Sequence, residues 1–442
     1  MEGGGGASGG DDGKSMIMMG RRPPGPRRTV DHWATGVKLL KDRVHYPEHR
    51  RFPYTLPSRF DAVVEMRAPR ACAGSAVSSA CFKWAHSCFS KERCPVHALC
   101  WMPLGQRLVT GSNNGMFTLW GGAQFSFEAA QQAHEHPVRA MAWNHAGEWM
   151  ISSDDGGVVK YWQTTFNMAK ELGAHPGYSV RSLCFAPTDA KFATGGDDGK
   201  VKLWDFASAA QERTLEGEGV DLGRSHGWDV KSVCWHPSKA LLASGSKDQT
   251  VKLWDPRAAK EAAVLHLHNG MVTALTWHPS NGWLLSGSRD QSIKLFDLRA
   301  MREVCAFRNH RREVTALAWH PVHAELFVAG TQEGTVTFWS TSHHEAPLSS
   351  CSQPAQMGRP AHPNGHASAV HGAAWHPLGH MLATCSQDTG TKFWVRPRPG
   401  EGRKRPAAEA EAEAAALDAH AMYQGGRGRG GPPPHARARQ AY

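Results

Sequence analysis

Two features of this chain invite a chemical reading first: its 26 histidines and its adjacent carboxylate pairs, Asp154-Asp155 and Asp197-Asp198. Histidines in such number could ligate a metal or act as general bases, and neighbouring aspartates could share a proton as an acid/base couple. Spacing favours a plainer role. His236, His278, His320 and His376 each precede a proline and recur in one pattern along the chain, so repetition accounts for them better than catalysis does. The aspartate pairs fall at turn positions of the same pattern, where a carboxylate caps backbone N–H groups. Gly156-Gly157 and Gly195-Gly196 also read as turns, because neither opens a helix after a strand as a phosphate loop must. Ten cysteines form no C-x-x-C pair and no Cys/His quartet at zinc spacing. No nucleophile stands with a base, so neither an enzyme nor a metal or cofactor site is expected.

The elements that carry these residues repeat. The clearest unit runs from His226-Gly227 through Val230-Lys231-Ser232-Val233-Cys234-Trp235-His236-Pro237, then Leu241–Asp248, and ends on Val251-Lys252-Leu253-Trp254-Asp255. Each piece is a short alternating strand bounded by turn residues. One aromatic marker of the unit falls at Trp101, Trp143, Phe185, Trp235, Trp277, Trp319 and Trp375, and a second at Trp120, Trp162, Trp204, Trp254, Phe296, Trp339 and Trp394. Two markers in one register, most often 42 residues apart, and a Trp-Asp-like ending match the WD-repeat signature. The expected fold is therefore all-β, a seven-bladed WD-repeat β-propeller over residues 81–394, each unit building a four-stranded blade. A strand at Cys81–Ala85 is expected to complete the last blade. Closing the ring removes exposed sheet edges, and large rings packed between blades explain 17 tryptophans against six tyrosines. Longer steps mark loop insertions at Leu215–Arg224 and Thr341–Gly365.

Within a unit, His226, Ser244, Asp248 and Trp254 are expected to form a buried hydrogen-bond set joining turn to strand. The same offsets recover Thr194, Asp198 and Trp204, and His366, Thr384, Asp388 and Trp394. Phe296, Glu333 beside Ala329, and Asn114 depart from it.

Charge separates the ring from its flanks. Residues 1–93 hold 16 basic and 9 acidic side chains, residues 395–442 hold 9 and 5, and the middle holds 25 and 26. A near-neutral middle reads as a scaffold, and polyanion contact is expected to begin in the flanks. The first flank, residues 1–80, is a basic, partly disordered arm carrying Lys14, Arg21, Arg22, Arg27 and Arg28; the last, 395–442, is a disordered low-complexity tail with Gly426-Arg427-Gly428-Arg429-Gly430. Arg and Lys pair with phosphates while interspersed Gly lets backbone follow a single strand. Arg403-Lys404-Arg405-Pro406 reads as a nuclear import signal. No run approaches the roughly 18 apolar residues of a membrane helix, and the Gly-rich start has no secretory h-region. A soluble protein with reduced thiols and no membrane partner is expected.

More specific motifs stand in one order: Arg27-Arg28-Thr29-Val30-Asp31, Thr118-Leu119-Trp120-Gly121, Phe125-Ser126-Phe127-Glu128, Gln132-Ala133-His134, Gly227-Trp228-Asp229-Val230-Lys231-Ser232-Val233, Asn281-Gly282-Trp283-Leu284-Leu285 and Trp375-His376-Pro377-Leu378-Gly379-His380. Over Arg27 to Pro399 the chain resembles the WD-repeat subunit of the cleavage and polyadenylation specificity factor, the FY type of plants. The resemblance implies a nuclear, non-enzymatic subunit of the pre-mRNA 3′-end cleavage and polyadenylation machinery. It implies docking on a large multi-propeller scaffold subunit and, with a CCCH zinc-finger subunit, recognition of an AAUAAA-type signal. By position it assigns RNA-phosphate contacts to Lys14 and Arg27 or Arg28, basic contacts before the first repeat to Lys91 and Arg93, and base stacking to Phe127. Asp11 stands where that family carries a second stacking aromatic, so recognition through the arm is expected to be either weaker or rebuilt from Arg21 and Arg22.

A rival reading is a substrate receptor of a cullin-RING ubiquitin ligase, because Trp254-Asp255-Pro256-Arg257 fits the short W-D-x-R box of such propellers and Phe296-Asp297-Leu298-Arg299 is a near copy. A third is a scaffold without RNA contact.

Overall fold

The computed structural model describes residues 68–72, 76–217, 225–280, 282–351 and 365–397. Alternation along the repeats produces strands whose two faces both meet neighbours. In Val251–Asp255, Val251, Leu253 and Trp254 are all buried. Among the described residues, two short 3-10 turns, Pro69–Cys72 and Val77–Ser79, precede 28 strands arranged as seven four-stranded antiparallel sheets. The first blade comprises Val96–Trp101, Arg107–Ser112, Met116–Gly121 and Phe127–Gln132. Five more follow over 138–173, 180–215, 230–265, 272–307 and 314–351, and the first strands of successive blades lie side by side around the centre. In every blade the pairing of the first two strands shifts register after one residue, as between Val230 and Ser232. Such a bulge sharpens the local twist.

The core lies between blades rather than inside one. Ala193, Val201 and Leu203 of the third blade meet Val230, Val233, Leu242 and Trp254 of the fourth in one cluster. At about 25 cal/mol per Å2 of apolar surface, each interface supplies stabilisation that neither sheet has alone, which is why repeat units of this kind stack.

Closure uses the two ends of the described chain. Val370–Trp375, Met381–Ser386 and Gly390–Val395 make three strands of the seventh blade, and Lys83–Phe89 is the fourth, pairing antiparallel from Lys83 with Val395 to Phe89 with Gly390. This strand starts two residues after the expected Cys81 and runs on to Phe89. Ala85 and Cys88 on it share a cluster with Trp101, Trp120 and Phe393. The turn histidines fasten blade to blade. His376 Nδ1 accepts the Leu378 N–H at 3.1 Å, leaving Nε2 to donate to the Gly105 carbonyl at 3.0 Å. His320 reaches the Gly379 carbonyl at 2.8 Å and His278 the Ala324 carbonyl at 2.9 Å.

The insertion at 341–365 is not wholly loop: Ser349–Cys351 pairs with Val336–Ser340 as the outer strand of the sixth blade. Residues 1–67, 218–224, 352–364 and 398–442, with most of the arm, of the tail and of both insertions, lie outside the described residues. Among the described residues no helix is long and apolar enough to cross a membrane.

Candidate nucleic-acid interface

The outer strand Phe127–Gln132 of the first blade is exposed along its whole length. The loop that leads into it is fixed from below: Phe125, at φ 54°, turns its ring into the core 4.2 Å from that of Phe393. Phe127, two residues on, therefore emerges on the surface, opposite Trp120 where the pairing shifts register. The residue is 43% exposed, and its ring meets the Trp120 indole edge to face at 6.0 Å. The chain between Phe89 and Val96 brings Lys91 over it, with Nζ 5.4 Å from the ring centre. Phe127 and Lys91 share a small groove of about 80 Å3 with Ser90, Glu92, Asn114 and Met116.

The groove sets a partly exposed aromatic ring and an ammonium together, two groups able to stack on a base and to pair with its phosphate. At its edge Asn114 donates from Nδ2 to Glu92, and Arg107 is paired with Glu128 at 2.5 Å, next to Phe127. Arg93 stands apart. It occupies the left-handed region at φ 47°, with its side chain exposed and outside the groove lining. Lys14, Arg21, Arg22, Arg27 and Arg28 lie outside the described residues.

The structure brings His226, Ser244, Asp248 and Trp254 together. His226 Nδ1 bonds Asp248 at 2.8 Å, His226 Nε2 bonds Ser244 Oγ at 2.6 Å, and Trp254 Nε1 donates to the same hydroxyl at 2.7 Å. Burial would raise the Asp248 pKa, but the His226 hydrogen bond and charge outweigh it and hold the carboxyl down to about 2. Equivalent sets form around His134, His175, His268 and His366. Sequence reading missed the first three histidines, although all precede their carboxylate by 20 to 23 residues. In the first blade Glu92 and Asn114 replace the His–Asp pair, so this position borders the Phe127 groove.

The paired aspartates are committed to structure. Asp154 bonds His134 and caps Val158 N–H at 2.8 Å. Asp155 is held down to about 2, chiefly by its hydrogen bond from Arg139. Asp197 takes Arg181 at 2.8 Å and Lys231 at 2.9 Å, and Asp198 takes His175 at 2.9 Å. Carboxylates held this way stay ionised at neutral pH and cannot donate a proton. Among the described residues no group of three His, Cys, Asp or Glu is placed to hold a metal ion. In the W-D-x-R box, Trp254 is core and Asp255 accepts the Arg257 backbone N–H at 2.9 Å.

Seven segments between residues 83 and 394, namely 83–121, 126–163, 166–205, 220–255, 259–297, 301–340 and 359–394, match the family described as "WD domain, G-beta repeat". Three proteins named polyadenylation factor subunit 2 are similar across most of the chain. The one from Neurospora crassa is 36% identical over 397 residues, 84% of this chain and 58% of that protein. That from Gibberella zeae is 39% identical over 76% of this chain and 56% of its own length, and that from Aspergillus fumigatus 40% identical over 71% and 59%. The chain thus spans less than three fifths of the length of each of these relatives, and 28% of the one from Cryptococcus neoformans. Seven repeat matches on seven observed blades show that the chain belongs to the WD-repeat family, and within it the chain is similar to fungal proteins named polyadenylation factor subunit 2.

Proposed function

We propose that this chain is a non-enzymatic subunit of the pre-mRNA 3′-end cleavage and polyadenylation machinery, and that its Phe127 groove holds a base of an AAUAAA-type signal. The observation that carries the site is the Lys91 ammonium over an exposed Phe127 ring at the edge of the first blade. The named relatives support the process. In this reading the basic arm, from Lys14 to Arg28, and Arg93 supply phosphate contacts around the groove. Cutting and poly(A) synthesis belong to other subunits, since the paired carboxylates here are tied up in turns and ion pairs. The near-neutral ring serves as a scaffold for a large multi-propeller subunit and a CCCH zinc-finger subunit in the nucleus.

Tagged purification from nuclear extract, with the partners identified by mass spectrometry and crosslinked RNA sequenced from the same sample, tests this. A polyadenylation scaffold and zinc-finger subunit, with crosslinks at A-rich hexamers upstream of cleavage sites, is the expected result. A cullin adaptor without those subunits and without RNA would overturn it.

A further inference from the structure

The inner strand of every blade begins on a valine, and the residue two places before that valine lies in the loop that leads into the blade. Gly270, Arg312 and Ser368 fill this place in the fifth, sixth and seventh blades, so the fold does not require an aromatic ring there. In the second, third and fourth blades it is His136, Tyr178 and Trp228. All three abut the preceding blade alike: a Cβ on Gly115, Gly157 or Gly199 would lie 3.0, 2.8 or 3.3 Å from the carbonyl oxygen of His136, Tyr178 or Trp228. The rings therefore stand at successive seams on one face of the propeller. Trp228 is 60% exposed and Tyr178 54%. Large rings left in water at neighbouring equivalent places mark a contact surface more than a scatter of single exposures does.

A cation accompanies the larger ring. Lys247 Nζ lies 5.1 Å from the centre of the Trp228 ring, the same pairing that Lys91 makes with Phe127 at 5.4 Å. The Lys247 side chain is 47% exposed, and its ammonium is 3.9 Å from the Asp229 carboxylate, beyond hydrogen-bonding distance. Asp229 is taken instead by Lys231 at 3.1 Å, and Lys231 also holds Asp197 at 2.9 Å. Lys247 thus has donors to give to an anion beside the indole.

We propose that this face of the third and fourth blades is a second contact surface for single-stranded RNA, with bases stacking on Trp228 and Tyr178 and a phosphate held by Lys247. That the strand is RNA rests on the function proposed above; the surface rests on its own residues. Every base has a π-face, so stacking of this kind accepts any sequence, and the lysine supplies the backbone contact. A cationic peptide is a poorer occupant, because Lys247 already places positive charge over the ring that such a peptide would seek.

Fluorescence anisotropy of the full chain with an oligouridylate, which contains no AAUAAA, tests this. Trp228→Ala is expected to weaken binding roughly 5- to 150-fold, and Tyr178→Ala at least about fivefold. Trp228→Phe keeps a stacking face and should restore affinity to within about threefold of the parent. Lys247→Ala should lower the slope of log affinity against log salt by about 0.7, the share of one phosphate contact on a single strand. All three side chains are exposed, so these variants keep the fold. The same Trp228→Ala loss is expected in a Phe127→Ala chain, so failure of the hexamer groove leaves this surface readable on its own. Absence of saturable binding, or an equal loss in Trp228→Ala and Trp228→Phe, would overturn the proposal. Undiminished RNA binding in Trp228→Ala, with loss of a copurifying protein from the tagged complex, would make the face a protein contact and overturn it as well.

Discussion

The Lys91 ammonium sits 5.4 Å from the centre of the Phe127 ring, although Lys91 lies in the link that leaves the seventh blade and Phe127 opens the outer strand of the first. Phe127 is 43% exposed, so it contributes a contact surface more than core packing. Base stacking on such a ring is worth about 1 to 3 kcal/mol. Phe127→Ala is expected to weaken AAUAAA binding by the reconstituted subcomplex roughly 5- to 150-fold while leaving its melting temperature unchanged. Fluorescence anisotropy with AAUAAA and a scrambled hexamer reads the first quantity, and unchanged affinity would refute the stacking role.

The buried blade set should matter more than its first-blade substitute. Removing Asp248 leaves His226 Nδ1 and the Thr250 hydroxyl without their acceptor, and a buried group so orphaned costs about 1 to 3 kcal/mol. Asn114 is only half-buried and works beside exposed Glu92. Asp248→Ala should therefore melt several degrees below Asn114→Ala. Equal melting temperatures in parallel calorimetric scans would refute the comparison.

His226 and His310 occupy equivalent places with opposite bonding. His226→Phe breaks two hydrogen bonds, whereas His310→Phe breaks none within the protein. The first variant is expected to lose about 2 kcal/mol or more in urea unfolding and the second less than about 1. A larger loss at His310 would mean that the ring has a structural partner.

Acid stability follows from the carboxylates. Asp248 has its folded pKa depressed to about 2, below the ordinary 3.8, so the folded state holds its ionised form more tightly than the unfolded state does. The sign is fixed by linkage: its contribution, about 2 kcal/mol, is present above pH 4 and is lost as pH falls toward 2. Asp248→Asn should be less stable than the parent at pH 7 and nearly level with it at pH 2. Parallel stability curves across that range would contradict the assignment.

Ring closure has a single-atom test. Gly105 is at φ +70°, and a Cβ there would lie 2.2 Å from His376 Nε2. Gly105→Ala must displace the histidine that joins the last blade to the first and strain the backbone as well, a combined loss of about 2 to 4 kcal/mol. A melting temperature within a degree of the parent would show that the joint is dispensable.

Legibility in the sequence followed the range of the interaction. Blade number, the alternation of the strands and the two aromatic markers depend on residues a few places apart, and the repeat displays the pattern seven times. His226, Ser244, Asp248 and Trp254 were legible for the same reason, since their set spans one unit. The set around His134 was harder to read because Asp154 follows its histidine by 20 residues, where His226 and Asp248 are 22 apart. Ser349–Cys351 was read as loop because three residues carry too little pattern to compete with the Ser and Pro around them.

What the sequence determined by itself is the fold and the chemistry on offer: a ring of seven like sheets, carboxylates spent on turns, and basic flanks. Tertiary structure alone decided which residues meet across the ring. His376 and Gly105 are 271 residues apart and touch because closure brings the last sheet against the first. Lys91 reaches Phe127 because Lys83–Phe89 is used up in the seventh blade, which sets where the next turn must start. His310 stays unpaired because Glu333, one methylene longer than Asp, extends to Arg312 instead of folding back over the ring. Such contacts depend on side-chain reach and on the closing geometry of the whole ring, and no local pattern in the chain encodes either.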